Sequence, residues 1–184
     1  MELDQKKGLL PACLTRRGFL IAGGTVAALP ALSSAAGVTV SAKKRSYPRK
    51  KIALLSDIEN DVPVSFRYPY DDEIYCNSFI IKLGSEAGGG VGNGNDIVAF
   101  NSFCPHMGGP LMGVYNKEHK VAGPCPLHLS TFDLTRHGML ISGHATESLP
   151  QVILEISEGS VYGVGMMGLI YGFNDNLNSA GREA

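Results

Sequence analysis

Cys104-Pro105-His106 and, after 18 intervening residues, Cys125-Pro126-Leu127-His128 are the two runs that decide how this chain reads. Each sets one thiol and one imidazole at close spacing. Two sulfur and two nitrogen donors, carried on two separate loops, are the inventory that holds one iron through cysteine and a second through histidine. The simplest wiring assigns Cys104 and Cys125 to one iron and His106 and His128 to the other, which describes a [2Fe–2S] cluster with mixed ligands. Replacing two thiolates by neutral imidazoles removes two negative charges, favours the added electron and raises the potential. Both loops must then meet at the cluster, as two hairpin tips of a small β subdomain can.

The neighbouring residues suit that role. Pro105 and Pro126 fix φ next to a ligand and so lower the entropy lost on arranging it. Gly108, Gly109 and Gly123 allow close approach of the backbone, whose N–H groups can then point at sulfur and favour the reduced state. A structural Cys2His2 zinc site is the competing reading. Zinc sites of that kind use Cys-x2-4-Cys and His-x3-5-His pairs rather than one Cys and one His per loop. A Cys–His hydrolase is weaker still, because each cysteine would need a free thiolate. His119, His137 and His144 lie outside the two loops and read as surface or hydrogen-bonded positions.

Charge is unevenly placed along the 184 residues. Ten of the 16 Lys and Arg fall within residues 1–51, leaving six basic against 15 acidic residues in 52–184, a net charge of −9. An acidic body argues against a nucleic-acid partner and suits a basic soluble one. Thr15-Arg16-Arg17-Gly18-Phe19-Leu20 opens a stretch without charge that runs from Gly18 to Ala42. Residues 1–42 thus look like a twin-arginine signal peptide, the route for folded, cofactor-loaded cargo into the periplasm. Small-residue cleavage sites follow Ala36 and Ala42. The alternative is a retained anchor, for which Gly23, Gly24, Thr25, Pro30, Ser33 and Ser34 make a weakly apolar span. Cys13 lies in the leader and Cys104 and Cys125 belong to the motif, so Cys76 is left as a small buried hydrophobe and no structural disulfide is expected.

Residues 43–51 read as a basic linker, mobile or wrapped on a partner, and 52–184 as one domain. Residues 62–68, 74–83, 96–100, 119–122 and 129–133 read as strands, with a last hairpin formed by 151–156 and 160–164. Ser56 to Glu59 could start a helical turn. Gly84 to Asn95 reads as a flexible hairpin tip or a loop resting on another subunit, and 166–171 as an apolar tail in the core or on a partner. With 23 Gly, 10 Pro, no Trp and no sustained helical period, the class is all-β.

The paired motifs resemble those of the Rieske [2Fe–2S] proteins. The longer run from Cys104 through Gly123-Pro124-Cys125-Pro126-Leu127-His128 to Thr131-Phe132-Asp133-Leu134-Thr135-Arg136-His137-Gly138, with 143–151 beyond it, is similar to the small subunit of bacterial arsenite oxidase. That resemblance covers essentially the whole chain. It implies three antiparallel sheets with a small cluster-binding subdomain at about 101–148. It also implies a heterodimer with a large molybdopterin subunit carrying a [3Fe–4S] cluster, where arsenite is oxidised, and a cytochrome c or cupredoxin acceptor. Rieske proteins of cytochrome bc complexes carry a disulfide between the loops and a Tyr that donates to a cysteine sulfur. The matching positions here are Gly109 and Leu127 for the disulfide and Phe132 for the tyrosine. Ser130 does match the serine that donates to a bridging sulfide.

Three functions follow in order. The first is the electron-transfer subunit of periplasmic arsenite oxidase. The second is the Rieske subunit of a membrane quinol-oxidising bc-type complex, which calls for a retained apolar helix, the loop disulfide and a Gly-Pro-Ala-Pro-like loop where Gly143-His144-Ala145-Thr146 stands. The third is a low-potential ferredoxin or oxygenase module, which export opposes. Membrane contact is expected only through an uncleaved leader.

Overall fold

Phe79-Ile80-Ile81 and Ile97-Val98-Ala99-Phe100 are uninterrupted apolar runs, the pattern of strands buried on both faces. In the computed structural model, which describes residues 46–177, they form the middle of the protein. In chain order the strands are β1 (Lys50–Leu54), β2 (Val64–Arg67), β3 (Asn77–Lys82), β4 (Ile97–Asn101), β5 (Tyr115–Asn116), β6 (Val121–Ala122), β7 (Thr131–Asp133), β8 (Met139–Ser142), β9 (Gln151–Ser157) and β10 (Ser160–Met167). Only two short 3₁₀ turns, Leu55–Asp57 and Ile74–Cys76, interrupt this all-β plan among the described residues.

Because strand side chains alternate, β3 and β4 feed two cores at once. Phe79, Ile81, Val98 and Phe100 point into one core, which also holds Cys104, Leu111, Cys125, Phe132 and Leu149. Ile80, Ile97 and Ala99 point into the other, with Tyr68, Cys76, Val152, Val161 and Ile170. The first core therefore carries the two motif cysteines, and the second closes the large sheet beneath them. Cys76 is a free, buried thiol, and Cys104 and Cys125 are free as well, so no disulfide links the described cysteines.

The large sheet has the order β1-β10-β9-β4-β3-β2 and the small one β5-β6-β7-β8, with every named pairing antiparallel. The resemblance implied three sheets; among the described residues hydrogen bonding joins two of them, leaving two. The reason is a ladder of two residue pairs, Ala99↔Val152 and Phe100↔Gln151, that joins β1-β10-β9 to β4-β3-β2. The large sheet also curls toward closure, since Lys50 Nζ on edge strand β1 donates to Arg67 O on the opposite edge, 2.8 Å away.

The basic run does not stay a linker to Lys51. Its last two residues, Lys50 and Lys51, open strand β1, and Tyr47 already stacks on Tyr68, with ring centroids 6.2 Å apart. Arg49 pairs with Glu155 at 2.9 Å and lies over the Tyr162 ring. The leader, its two cleavage sites and the first part of the basic run lie outside the described residues. No described helix is long and apolar enough to cross a membrane.

Gly84 to Asn95 is packed on the protein itself. Gly88 N donates to Thr135 O and Gln151 Nε2 donates to Gly88 O, both at 2.8 Å. That fixes Gln151 Oε1 as acceptor for the Nδ1–H of His137, 2.8 Å away. A second tie lies elsewhere on the small sheet, where the Asp61 carboxylate accepts from Tyr115 Oη at 2.5 Å and Lys120 Nζ at 2.7 Å. These bonds hold Asp61 below the usual carboxylate range, Lys120 first and Tyr115 second. Two struts thus fix the small sheet on the large one.

Candidate metal centre

Asn101 ends β4 with a fully used side chain. Its Nδ2 donates to Tyr75 O (2.7 Å) and Asn77 O (3.1 Å), and its Oδ1 accepts from Phe103 N (3.0 Å). This anchors the start of the first loop. Two backbone bonds then close it: Cys104 N to Gly109 O at 2.8 Å, and Gly108 N to Cys104 O at 2.9 Å.

The second loop repeats the pattern. Cys125 N donates to Ser130 O at 2.8 Å and Leu129 N to Cys125 O at 2.9 Å. In each loop the fourth residue after the cysteine is left-handed, Gly108 with φ 67° and Leu129 with φ 62°. The loops are therefore one and the same turn. Cys-x-His and Cys-x2-His differ only in the step at which the imidazole leaves it.

The two turns bring the imidazoles together and the thiols together. The His106 and His128 rings meet edge to face with centroids 4.7 Å apart. Both cysteines are 1% exposed, and their side chains interact directly. Burial pushes the Cys104 thiol up and Cys125 adds to this, while a backbone hydrogen bond at His106 and the Ser130 hydroxyl act the other way. Paired buried thiols need a cation as countercharge to act as thiolates, and a metal supplies it. Among the described residues no three His, Cys, Asp or Glu side chains form a group that could hold a single metal ion. The donors stand as a sulfur pair and a nitrogen pair, which fits two irons better than one zinc.

Gly109 lies directly on the sulfur side. A Cβ there would come 2.6 Å from Cys125 Sγ and 3.1 Å from the Leu127 side chain. Leu127 rests on Gly109 at the two positions where the bc-type proteins carry cysteines, so a van der Waals clasp joins the loops. Phe132 is fully buried beside Cys104 and Cys125, a ring without a donor. Ser130 has no exposed surface, and its Oγ accepts from His144 N (3.1 Å) and Ala145 N (3.0 Å). Both N–H groups being donors, the hydroxyl keeps its own proton to give, and its presence favours the ionised form of Cys104.

Sequence reasoning missed one feature here. His144 is not a third donor, but its ring stands 6.1 Å from that of His106, nearly parallel to it, and 6.3 Å from that of His128. No spacing rule ties residue 144 to the loops. The nearest signal is Gly143, whose φ of 101° and whose Cβ position 2.3 Å from Ser130 Cα only glycine tolerates. His119 stays an exposed residue and His137 a hydrogen-bonded one, as the sequence suggested, and Arg136 pairs with Asp133 at 3.8 Å.

The surface around the imidazoles carries exposed Met107, Leu127 and Leu129. No Asp, Glu, Lys or Arg occurs in 101–116, 121–132 or 138–146. The imidazoles thus lie on an uncharged, apolar tip, with the thiols buried behind it.

Known proteins agree with this construction. The chain matches the Rieske [2Fe–2S] domain family over residues 52–153. It is 54% identical over 173 residues to a protein named iodate reductase subunit IdrB from Denitromonas iodatirespirans, spanning 94% of this chain and 92% of that protein. A protein of the same name from Pseudomonas sp. (strain SCT) is 53% identical over 169 residues, spanning 91% of this chain and 86% of its own. Among solved structures, the soluble domain of Rieske protein II (soxF) from Sulfolobus acidocaldarius shares the fold with a TM-score of 0.61 at 23% identity, over 70% of this chain and 82% of that one. The family match brackets both turns and the relatives extend it along nearly the whole sequence, so this chain belongs to the Rieske [2Fe–2S] family and its cofactor is a Rieske-type [2Fe–2S] cluster.

Proposed function

We propose that this chain is the electron-transfer subunit of a periplasmic iodate reductase, exported by the twin-arginine route with a large molybdopterin subunit as partner. The observation that carries this reading is identity of 53–54% to two proteins named iodate reductase subunit, over more than nine-tenths of the chain. The molybdopterin partner comes from the arsenite oxidase resemblance, and the periplasm from the Arg16-Arg17 leader.

Cys104 and Cys125 bind one iron, and His106 and His128 the other. When bound, the cluster supplies a one-electron store. The chain does the rest. Buried Cys104 and Cys125 keep water from the sulfur side, and the Ser130 proton and the turn N–H groups offset the negative charge that arrives with an electron. His106 and His128 bring the exchange to the surface. No residue here has to act as acid, base or nucleophile toward the substrate.

Arsenite oxidase remains the second reading, favoured by the run from Cys104 to Gly138 and by 143–151. The two differ in direction. Iodate consumes electrons and so draws them from this subunit, whereas arsenite oxidation delivers them to it, for a cytochrome c or cupredoxin to collect. The bc-type reading loses support from the Leu127–Gly109 clasp and from His144 in the loop that would carry a proline.

The test is made on the complex that co-purifies with this chain from the periplasm, reduced and freed of reductant. Iodate should abolish the EPR signal of the reduced cluster within turnover time. If arsenite instead generates that signal in the oxidised complex, the second reading holds. A preparation without a large molybdenum subunit sinks both.

A further inference from the structure

The family match ends at residue 153, yet the chain returns to the metal centre after it. Past β10, Gly168 turns the backbone with φ 90°, and Ile170 is buried in the second core. Asn176 closes this return segment on itself. Its Oδ1 accepts from Ile170 N at 2.9 Å, and its Nδ2 donates to Gly168 O at 2.7 Å and to Tyr47 Oη at 3.2 Å. Tyr47 is in turn stacked on Tyr68. A segment sewn by one buried amide and tied to the other end of the domain is a rigid support.

That support presents Tyr171 to the first ligand turn. A Cβ on Gly108 would lie 2.5 Å from Tyr171 Cε1 and 2.6 Å from Cδ1, so the ring lies flush against the glycine backbone. The ring also meets Tyr75 edge to face at 5.4 Å, and Tyr75 meets Phe103 in the same way at 5.0 Å. Phe103 directly precedes Cys104. The three rings therefore hold the turn at both ends, Phe103 where it begins and Gly108 where it closes.

The two ligand turns differ in what stiffens them. In the second, the left-handed position is Leu129 and the next residue, Ser130, is pinned by the N–H groups of His144 and Ala145. In the first, that position is Gly108, whose backbone is free to visit many conformations unless something restrains it. We propose that Tyr171 is a positioning residue for the metal centre: its ring is the wall that keeps the Cys104–Gly109 turn in its ligating shape. Among the described residues its hydroxyl makes no hydrogen bond, so ring area and not the phenol does this. The assignment rests on Cys104 and His106 being ligands.

The test uses the full chain purified with its cluster. In Tyr171→Ala the cluster is released to a chelator about tenfold faster, the range in which supporting residues around a metal act. The EPR spectrum of the reduced cluster broadens and shifts in g value, because the geometry of one ligand turn is no longer single. Tyr171→Phe restores both to wild-type behaviour. Wild-type release and spectrum in Tyr171→Ala overturn the proposal, and so does a Phe variant as damaged as the Ala one. If Tyr171→Ala does not fold, Tyr171→Leu decides, since it keeps apolar bulk without a flat ring: a shifted spectrum supports the proposal and a wild-type one overturns it. Cys104→Ser, prepared alongside, separates the two ideas, because an unchanged cluster in that variant removes the ligand assignment itself.

Discussion

Ser130 Oγ already accepts two backbone N–H bonds, which leaves its single proton free to donate toward the buried sulfur pair. Removing the hydroxyl takes a donor from the charge that builds up on reduction, so Ser130→Ala should lower the midpoint potential, read in a redox titration. An unchanged midpoint would show the proton to be pointing elsewhere. Gly109 is limited by contact. With 2.6 Å between a Cβ at that position and Cys125 Sγ, Gly109→Ala forces the sulfur aside, and cluster content measured by iron and sulfide analysis should fall about tenfold. At this scale the sequence was informative where spacing along the chain mirrors proximity in space, as in the two ligand turns. It was silent where it does not. His144 reaches the His106 ring from a loop 38 residues away in sequence, and no local pattern encodes that approach.

Among the elements, the repeated ligand turn explains why a leucine occupies a left-handed position. Leu129 at φ 62° pays a steric cost of about 1–2 kcal/mol relative to glycine, and at 65% exposure its side chain recovers little by burial. Leu129→Gly gives back part of this through a freer unfolded chain, so urea unfolding should show a net gain of about 0.5 kcal/mol with the cluster retained. A loss larger than about 1 kcal/mol would mean that Leu129 packs against something essential. The central strands were legible because their apolar runs are long. β6 and β7 fall inside the expected strands 119–122 and 129–133, whereas β5, with two residues, is too short for any period to show, and β8 follows directly on a polar turn. β1 was hidden by Lys50 and Lys51, whose charges suggested a linker, although edge strands commonly carry lysine. The glycine-rich loop looked mobile by composition, and the bonds from Thr135 and Gln151 that order it come from residues 47 and 63 positions away from Gly88.

For the molecule as a whole, two struts set the metal centre at a fixed attitude on the large sheet. The Asp61 strut carries a pH signature. Its folded-state pKa lies below the unfolded value, so its contribution is present above about pH 4 and is lost as pH falls through the lowered value. Asp61→Asn should therefore unfold at lower urea than the wild type at pH 7, and the gap should close as pH falls through the lowered value; a gap constant with pH would mean that the ion pair with Lys120 contributes nothing. Charge is distributed on the same scale, with an acidic body of net −9 in 52–184 and a tip without charge. Such an arrangement separates attraction at a distance from the final contact: salt should slow the approach of a basic partner and leave a docked pair nearly untouched. The Leu127 side chain on Gly109 has a different reach. A centre whose halves are held by hydrocarbon rather than by a sulfur–sulfur bond has no covalent link for a thiol reductant to cut. The clasp between the loops therefore needs no oxidation step to form.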